Sequence, residues 1–254
     1  MVLVSGLALS LTACGGDDGD KQDPVSELKA AAEKAAKQNS YKAKGLSKDH
    51  EGETSIEASY SEKPVASDLR GTGPKTADNP SGEIRMVHIG DTLYVKSGEP
   101  VGGKPWMKIQ GSKLAEIPKG DSLRSAGLQA AVLTTSKNLK KAGEESVRGR
   151  KTTHYKGTVV LSDLAAYKGD LMTEKQRDAY VRTSKIDDVK SLEMDVWVDK
   201  EGLPAKTSES ANGSKGETIT IMEYLEYGLE VKVQAPPSDE VASMADMLKS
   251  MPKQ

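Results

Sequence analysis

Ser191-Leu192-Glu193-Met194-Asp195-Val196-Trp197-Val198-Asp199 decides how this chain is read. Met194, Val196 and Val198 share one side of an extended backbone, while Asp195, Trp197 and Asp199 share the other. A period of two describes a strand with one face buried and the other in water. A sheet of such strands needs few hydrophobes, and the composition agrees: Leu, Ile and Val supply 47 of 254 residues, and Phe is absent. So low an apolar fraction indicates disorder when net charge is high. Here 36 basic and 38 acidic residues leave a net charge of −2, and a half-solvated sheet is the better account.

Glu217–Tyr227 is the second clear strand, with Ile219 and Ile221 assigned to the same buried face as Met194, Val196 and Val198. Leu229–Gln234 reads as a further strand, ended by Pro236-Pro237-Ser238, and Val241, Met244, Ala245 and Leu248 as one side of a C-terminal helix. Upstream, Tyr41–Leu46, Thr54–Tyr60, Glu83–Ile89, Thr92–Lys96, Trp106–Ile109, Glu145–Arg148 and Thr152–Leu161 have strand texture. Gly90-Asp91 suits a two-residue hairpin loop. Asp23-Pro24 is a helix start, with Val25, Leu28, Ala31, Ala32, Ala35 and Ala36 as a narrow stripe up to about Gln38. A second helix is expected over Leu123–Lys141, stopped by Lys140-Lys141 before Gly143, and a third over Ser162–Ser184, broken near Gly169. The class is α+β: eight or more antiparallel strands with three or four helices, and no strand–helix–strand alternation of a parallel nucleotide-binding sheet.

The N-terminus carries a separate message. An uncharged apolar run, Val2 to Leu11, leads into Leu11-Thr12-Ala13-Cys14, and Cys14 is the only cysteine. Small residues before a cysteine form the lipobox of bacterial lipoproteins, whose thiol accepts a diacylglyceryl group before cleavage. The run is shorter than the roughly 20 residues of a spanning helix. The expected organisation is a signal peptide over 1–13, a flexible tether over 14–23 and one domain over 24–254. The protein would sit outside the cytoplasmic membrane, anchored in its outer leaflet by acylated Cys14. No Lys or Arg precedes the run, so translation is expected to start upstream of Met1. With Cys14 committed, no disulfide is available.

Catalytic chemistry finds little support. His50, His88 and His154 are scattered without metal-ligand spacing, and there is no Gly-x-Ser-x-Gly elbow, phosphate loop or calcium loop. The reading is of a non-enzyme without metal or cofactor. The balanced charge gives no reason to expect nucleic acid. Asp17-Asp18 and Asp187-Asp188 read as solubilising turns, and Lys34/Lys37 and Lys140-Lys141 as solvated faces. Met86, Met194, Met222, Met244, Met247 and Met251 suit core packing as well as an adaptable apolar cavity.

Several segments in order complete the picture: Ser40-Tyr41-Lys42-Ala43-Lys44-Gly45, Gly82–Tyr94 (GEIRMVHIGDTLY), Gly103–Ile109 (GKPWMKI), Val147–Val159 (VRGRKTTHYKGTV) and Asp195–Pro204 (DVWVDKEGLP), then Leu229–Val233. Together they resemble the actinobacterial LppX/LprAFG lipoprotein family of the LolA-like superfamily, over most of the chain from Ser40 to Pro236. The resemblance implies a strongly curved, half-open antiparallel β-barrel with helices over its concave face. It also implies an apolar cavity between sheet and helices that receives acyl chains of a lipid or glycolipid. The candidate lining is Leu93, Val95, Met194, Val196, Val198, Ile219, Ile221 and Val231, with Trp197 on the convex face or at a rim. With Phe absent, aliphatic side chains and Met are expected to form the walls. A lipid carrier is the first functional expectation. An envelope sensor of the same fold, acting on a membrane-protein partner, is the alternative.

Overall fold

Residues 23–110, 125–185 and 188–243 are described by the structure, a computed structural model. The lipobox with Cys14, the tether before Asp23, Leu123, Asp187 and the expected helix from Met244 onward lie outside these residues.

The strands are β1 (Ser40–Asp49), β2 (Gly52–Glu62), β3 (Val65–Thr72), β4 (Glu83–Ile89), β5 (Thr92–Ser97), β6 (Trp106–Gln110), β7 (Lys140–Val147), β8 (Arg150–Val160), β9 (Ser191–Asp199), β10 (Pro204–Gly213), β11 (Gly216–Tyr227) and β12 (Val241–Ala242). They form one 12-stranded sheet in the order β12-β6-β5-β4-β3-β2-β1-β11-β10-β9-β8-β7. All neighbours are antiparallel except β12, which runs parallel to β6. Among the described residues the end strands β7 and β12 are not joined, so the curved sheet stays unclosed. Among the described residues four helices accompany it: α1 (Pro24–Ala36), α2 (Ala126–Leu133), α3 (Leu161–Ala166) and α4 (Glu174–Ser184).

Local chemistry sets these elements. Asp23 caps α1 by accepting the Ser26 N–H, and Pro24 opens the helix. Of its apolar stripe, Leu28, Ala31, Ala32 and Ala35 are buried and Val25 is exposed. Every residue of α2 from Ala126 to Leu133 is buried, which explains a helix apolar all round: it lies as a middle layer between α1 and the sheet. A Cβ on Gly127 would stand 3.1 Å from Ala32 O and Ala36 N, so glycine permits the close approach of α1 and α2. The helix ends well before Lys141. Thr134 Oγ1 donates to Ala131 O at 2.6 Å and Thr135 Oγ1 to Val132 O at 2.7 Å, satisfying its last carbonyls.

Lys140-Lys141 therefore belongs to β7, not to a helix end. β7 is exposed from Lys140 to Ser146, charged, and bulged between Lys141 and Gly143, features that protect an edge strand from further pairing. Arg148 and Gly149, both at positive φ, turn β7 into β8, as a two-residue hairpin loop requires.

The register fixes two faces. On the helix side Val196 opposes Thr207, Thr207 opposes Met222 and Met222 opposes Gly45. The main core lies there, formed by Met194, Val196 and Val198 with α1 to α4. The described helices make their main contacts with β8, β9 and β10.

The open side is charged. Asp68 accepts from Arg85 Nε at 2.9 Å, from Arg85 Nη2 at 2.8 Å and from Arg70 Nη2 at 3.1 Å. Partial burial opposes its charge, but hydrogen bonds and charge from Arg85 and Arg70 outweigh it and hold the carboxyl below the usual aspartate range. A lowered folded-state pKa contributes stability above the unfolded value, about 3.9, that is lost as pH falls through the folded value. Asp68→Asn is expected to flatten the acid limb of melting temperature against pH below about pH 4. An acid limb identical to the parent's would remove Asp68 from that role.

Candidate functional site

The helix side of the sheet has two unlike halves. Under the helices, Met194 and Val196 are essentially inaccessible and Val198 is buried, all in the same cluster as Val132, Leu133 and Leu164. These candidates pack into that core, and none of them is in the lining of the cavity between the sheet and α1 and α2 described below. Beyond β11, a cross-strand row of apolar residues runs Tyr224–Ala43–Ala58–Leu69–Met86–Val95–Met107, each directly opposite the next. It crosses β1 to β6, five strand spacings or about 24 Å, and meets Ala242 of β12. Leu69, Met86, Val95 and Met107 are only half-buried, unlike the residues beneath the helices. Val95 lies in this row, and Leu93 is buried on the same face of β5.

Where the halves meet, tyrosines gather. Tyr41 stacks on Tyr60 at 5.3 Å between ring centroids and meets Tyr224 edge-on at 5.7 Å, and Tyr224 stacks on Tyr227 at 5.9 Å. Small neighbours make room, since Ala43 stands opposite Tyr224 and Gly45 opposite Met222. A cavity of about 150 Å³ opens here between the sheet and α1 and α2. Tyr41, Tyr60 and Tyr227 wall one side and Ala35, Ala126 and Leu128 the other, with Gln38, Glu62 and Gln176 among its polar lining. Tyr227 donates to Pro204 O at 2.7 Å. Burial, then the neighbouring Tyr224, Tyr41 and Asp199, pushes its hydroxyl well above the ordinary tyrosine range, so it stays a neutral donor.

Four expectations are corrected. Ile219 and Ile221 sit on the open side, Ile221 opposite Ser208 and Ser208 opposite Asp195, while Met222 and Tyr224 of the same strand face the helices. Both parities of Thr218–Tyr224 carry apolar residues, and a shift of one residue exchanges the faces; the small partners Gly45 and Ala43 select the even set. Val231 lies outside the sheet, because 229–237 forms no ladder. Its alternation is real, since Leu229, Val231 and Val233 are half-buried between exposed neighbours, but one buried side does not require strand partners. Likewise Val241 is in β12 and not on a helix. The walls of the cavity are also not purely aliphatic, because tyrosine supplies what phenylalanine does not. Tyr41, Tyr60, Tyr224 and Tyr227 all lie in alternating strand runs, the one signal that marked them.

Two of the segments carrying the resemblance, Val147–Val159 and Asp195–Pro204, also hold contacts on the open side and in a turn. Trp197 lies there as expected, stacked on His154 at 4.3 Å, with Lys206 Nζ 4.3 Å from its ring and its Nε1 donating to Glu145 at 2.8 Å. His154 bridges Glu145 and Asp195 at 2.9 and 2.6 Å. Asp199 ties the Lys200–Leu203 turn by accepting from Glu201 N at 3.0 Å and Leu203 N at 3.1 Å, and pairs with Arg150 at 3.2 Å.

An unclosed antiparallel sheet with helices over one part of one face is the LolA-like architecture. Within it the fold is that of the LppX/LprF lipoproteins. LppX of Mycobacterium tuberculosis superposes with a TM-score of 0.52 at 16% identity, covering 83% of this chain and 98% of that one. LprF of Mycobacterium bovis gives 0.53 at 12% identity, over 84% and 96%. In sequence, an uncharacterized 31.2 kDa protein of Streptomyces griseus is 30% identical over 182 residues, 66% of this chain and 59% of its own length. A Streptomyces coelicolor protein bearing a lipoprotein name is 26% identical over 175 residues, 64% of this chain and 52% of its own length. The chain thus spans a little over half the length of these Streptomyces relatives. No protein-family model matches it.

Proposed function

We propose that this protein is an extracytoplasmic lipoprotein, anchored through acylated Cys14, that binds lipid acyl chains between α1, α2 and the sheet and along the apolar row of β1 to β6. The observation that carries this reading is that row, continuous from the tyrosine-walled cavity to β12 and set apart from the filled core beneath the helices. The lipobox, the lipoprotein name of the Streptomyces coelicolor relative and the likeness in fold to the lipoprotein LppX support it. The cavity of about 150 Å³ matches one that admits a benzene-sized group. It suits the end of a chain, with the remaining methylenes laid along the row. Each buried methylene contributes about 0.8 kcal/mol, so a long chain gains several kcal/mol without any charged contact.

The test is native mass spectrometry of the full chain carrying Cys14→Ser, purified from a lipid-containing host. Masses of bound lipid, lost on organic extraction and regained from vesicles, are expected. A protein that stays empty after vesicle incubation would overturn the reading.

The anchor has its own expected outcome. One acyl chain gives marginal membrane affinity, near 10⁴ M⁻¹, whereas two hold stably. Cys14→Ser should move the protein from the membrane to the soluble fraction with an unchanged melting temperature. Retention of the Ser variant on membranes after a high-salt wash would exclude Cys14 as the anchor.

A further inference from the structure

The open side of the sheet carries a charged row that mirrors the apolar one. Across successive strands Lys206 opposes Glu223, Glu223 opposes Lys44, Lys44 opposes Glu57 and Glu57 opposes Arg70. Signs alternate at each step, as cross-strand pairing favours. At Arg70 the alternation stops: Arg70 opposes Arg85, and Arg85 opposes Lys96. Like charges directly opposite one another are destabilising, so three consecutive cations need negative charge from elsewhere. Asp68 supplies part of it, engaging Arg85 through two nitrogens and Arg70 through one. Lys96 is exposed, and among the described residues no ion pair to it falls within salt-bridge distance.

This break in the pattern coincides with a hollow of about 270 Å³ lined by Arg70, Thr72, Glu83, Arg85, Lys96 and Trp106. Trp106 is buried and forms a fixed wall, with the Arg85 guanidinium 5.6 Å from its ring centroid. Bidentate contact with Asp68 pre-sets the Arg85 fork, and its Nη1 and the Arg70 Nη1 and Nε remain without a described partner. Glu83 is the one acidic side chain in the lining, against three basic ones.

We propose that Arg70, Arg85 and Lys96 form an oxyanion site on the open side of β3, β4 and β5 that takes a phosphate group. Guanidinium and ammonium groups converging on one hollow are the chemistry that recognises phosphate. The site lies on the opposite face from the apolar row, so it does not depend on acyl binding. The phosphate could belong to an anionic lipid headgroup, in which case this face lies against the membrane, or be free in solution.

The experiment uses the full chain with Cys14→Ser, so that no anchor contributes. Inorganic phosphate is titrated while the indole N–H resonance of Trp106 is followed. Separately, co-sedimentation is measured with vesicles of phosphatidylglycerol and of phosphatidylcholine. Arg70→Gln with Lys96→Gln is compared with Lys200→Gln with Lys232→Gln, which removes the same charge elsewhere and leaves Arg85 with Asp68 in both. Saturable movement of the Trp106 signal, lost in the first double variant only, is expected. If the source is a headgroup, phosphatidylglycerol vesicles bind the parent and the first variant binds them roughly 25-fold more weakly, from about fivefold per cation at an anionic surface. A Trp106 response without vesicle binding assigns the site to free phosphate. Absence of any Trp106 response, or equal responses in both double variants, overturns the proposal.

Discussion

Leu133→Ala is expected to destabilise the protein by about 2–5 kcal/mol, the range for truncating a fully enclosed leucine. Leu133 is inaccessible to solvent and is the last residue of α2, whose every residue is buried. Around it stand Leu28 of α1, Leu164 of α3 and Met194 and Val196 of β9 in one cluster. Deleting the side chain removes contacts on several layers at once, and α2 is held too closely to collapse into the space, because Gly127 already brings α1 to the limit of approach. For a domain of this size the corresponding fall in melting temperature is roughly 5–15 °C. Calorimetry or circular dichroism gives the value. A loss below about 1 kcal/mol, within the range of surface changes, would mean that α2 is not the central layer of the core.

The same layer shows what could be read from the sequence and what could not. Ser191–Asp199 is a strand over the residues expected, with Met194, Val196 and Val198 on the buried side, because only one parity is apolar. α1 was legible from a cap, a proline and a stripe. β10 was not: its helix-side residues Thr207, Glu209 and Ala211 are small or polar because α1 and α2 press on this strand, so it lacks the hydrophobic alternation that identifies a strand. β3 escaped for a related reason, with Ser67 and Gly71 alternating with Val65 and Leu69 on that side. The end of α2 was hidden in threonine hydroxyls, since Leu139 continues the helical period beyond the point where Thr134 and Thr135 capture the last carbonyls.

The site was legible in kind more than in position. An apolar hollow between helices and sheet followed from the family resemblance, and Leu93 and Val95 were placed on its side of the sheet. Its walls depend on which strand parity faces the helices in β11, and there both parities are apolar, so the answer rests on the partners Gly45 and Ala43 in β1. That is tertiary information. The charged row on the other face was equally out of reach, because it exists only once seven strands are set in register.

Three tryptophan substitutions separate a filled core from a ligand surface. Val196→Trp inserts a large ring among Val132, Leu133 and Met194, where no space remains, and overpacking of this kind costs about 1–3 kcal/mol or more. Leu69→Trp enlarges the middle of the apolar row, between Ala58 and Met86, on a half-buried surface away from the main helix contacts. The added atoms find room there but occupy the path of an acyl chain. Leu69→Trp is therefore expected to keep the parent melting temperature and lose most bound lipid, and Val196→Trp to lose several degrees while any folded fraction still carries lipid. Ile221→Trp, on the open side opposite Ser208, should change neither. Melting curves and native mass spectra of the three variants decide the matter. Lipid retained in full by Leu69→Trp would place the ligand elsewhere, whereas lipid lost only in Val196→Trp would return binding to the region beneath the helices.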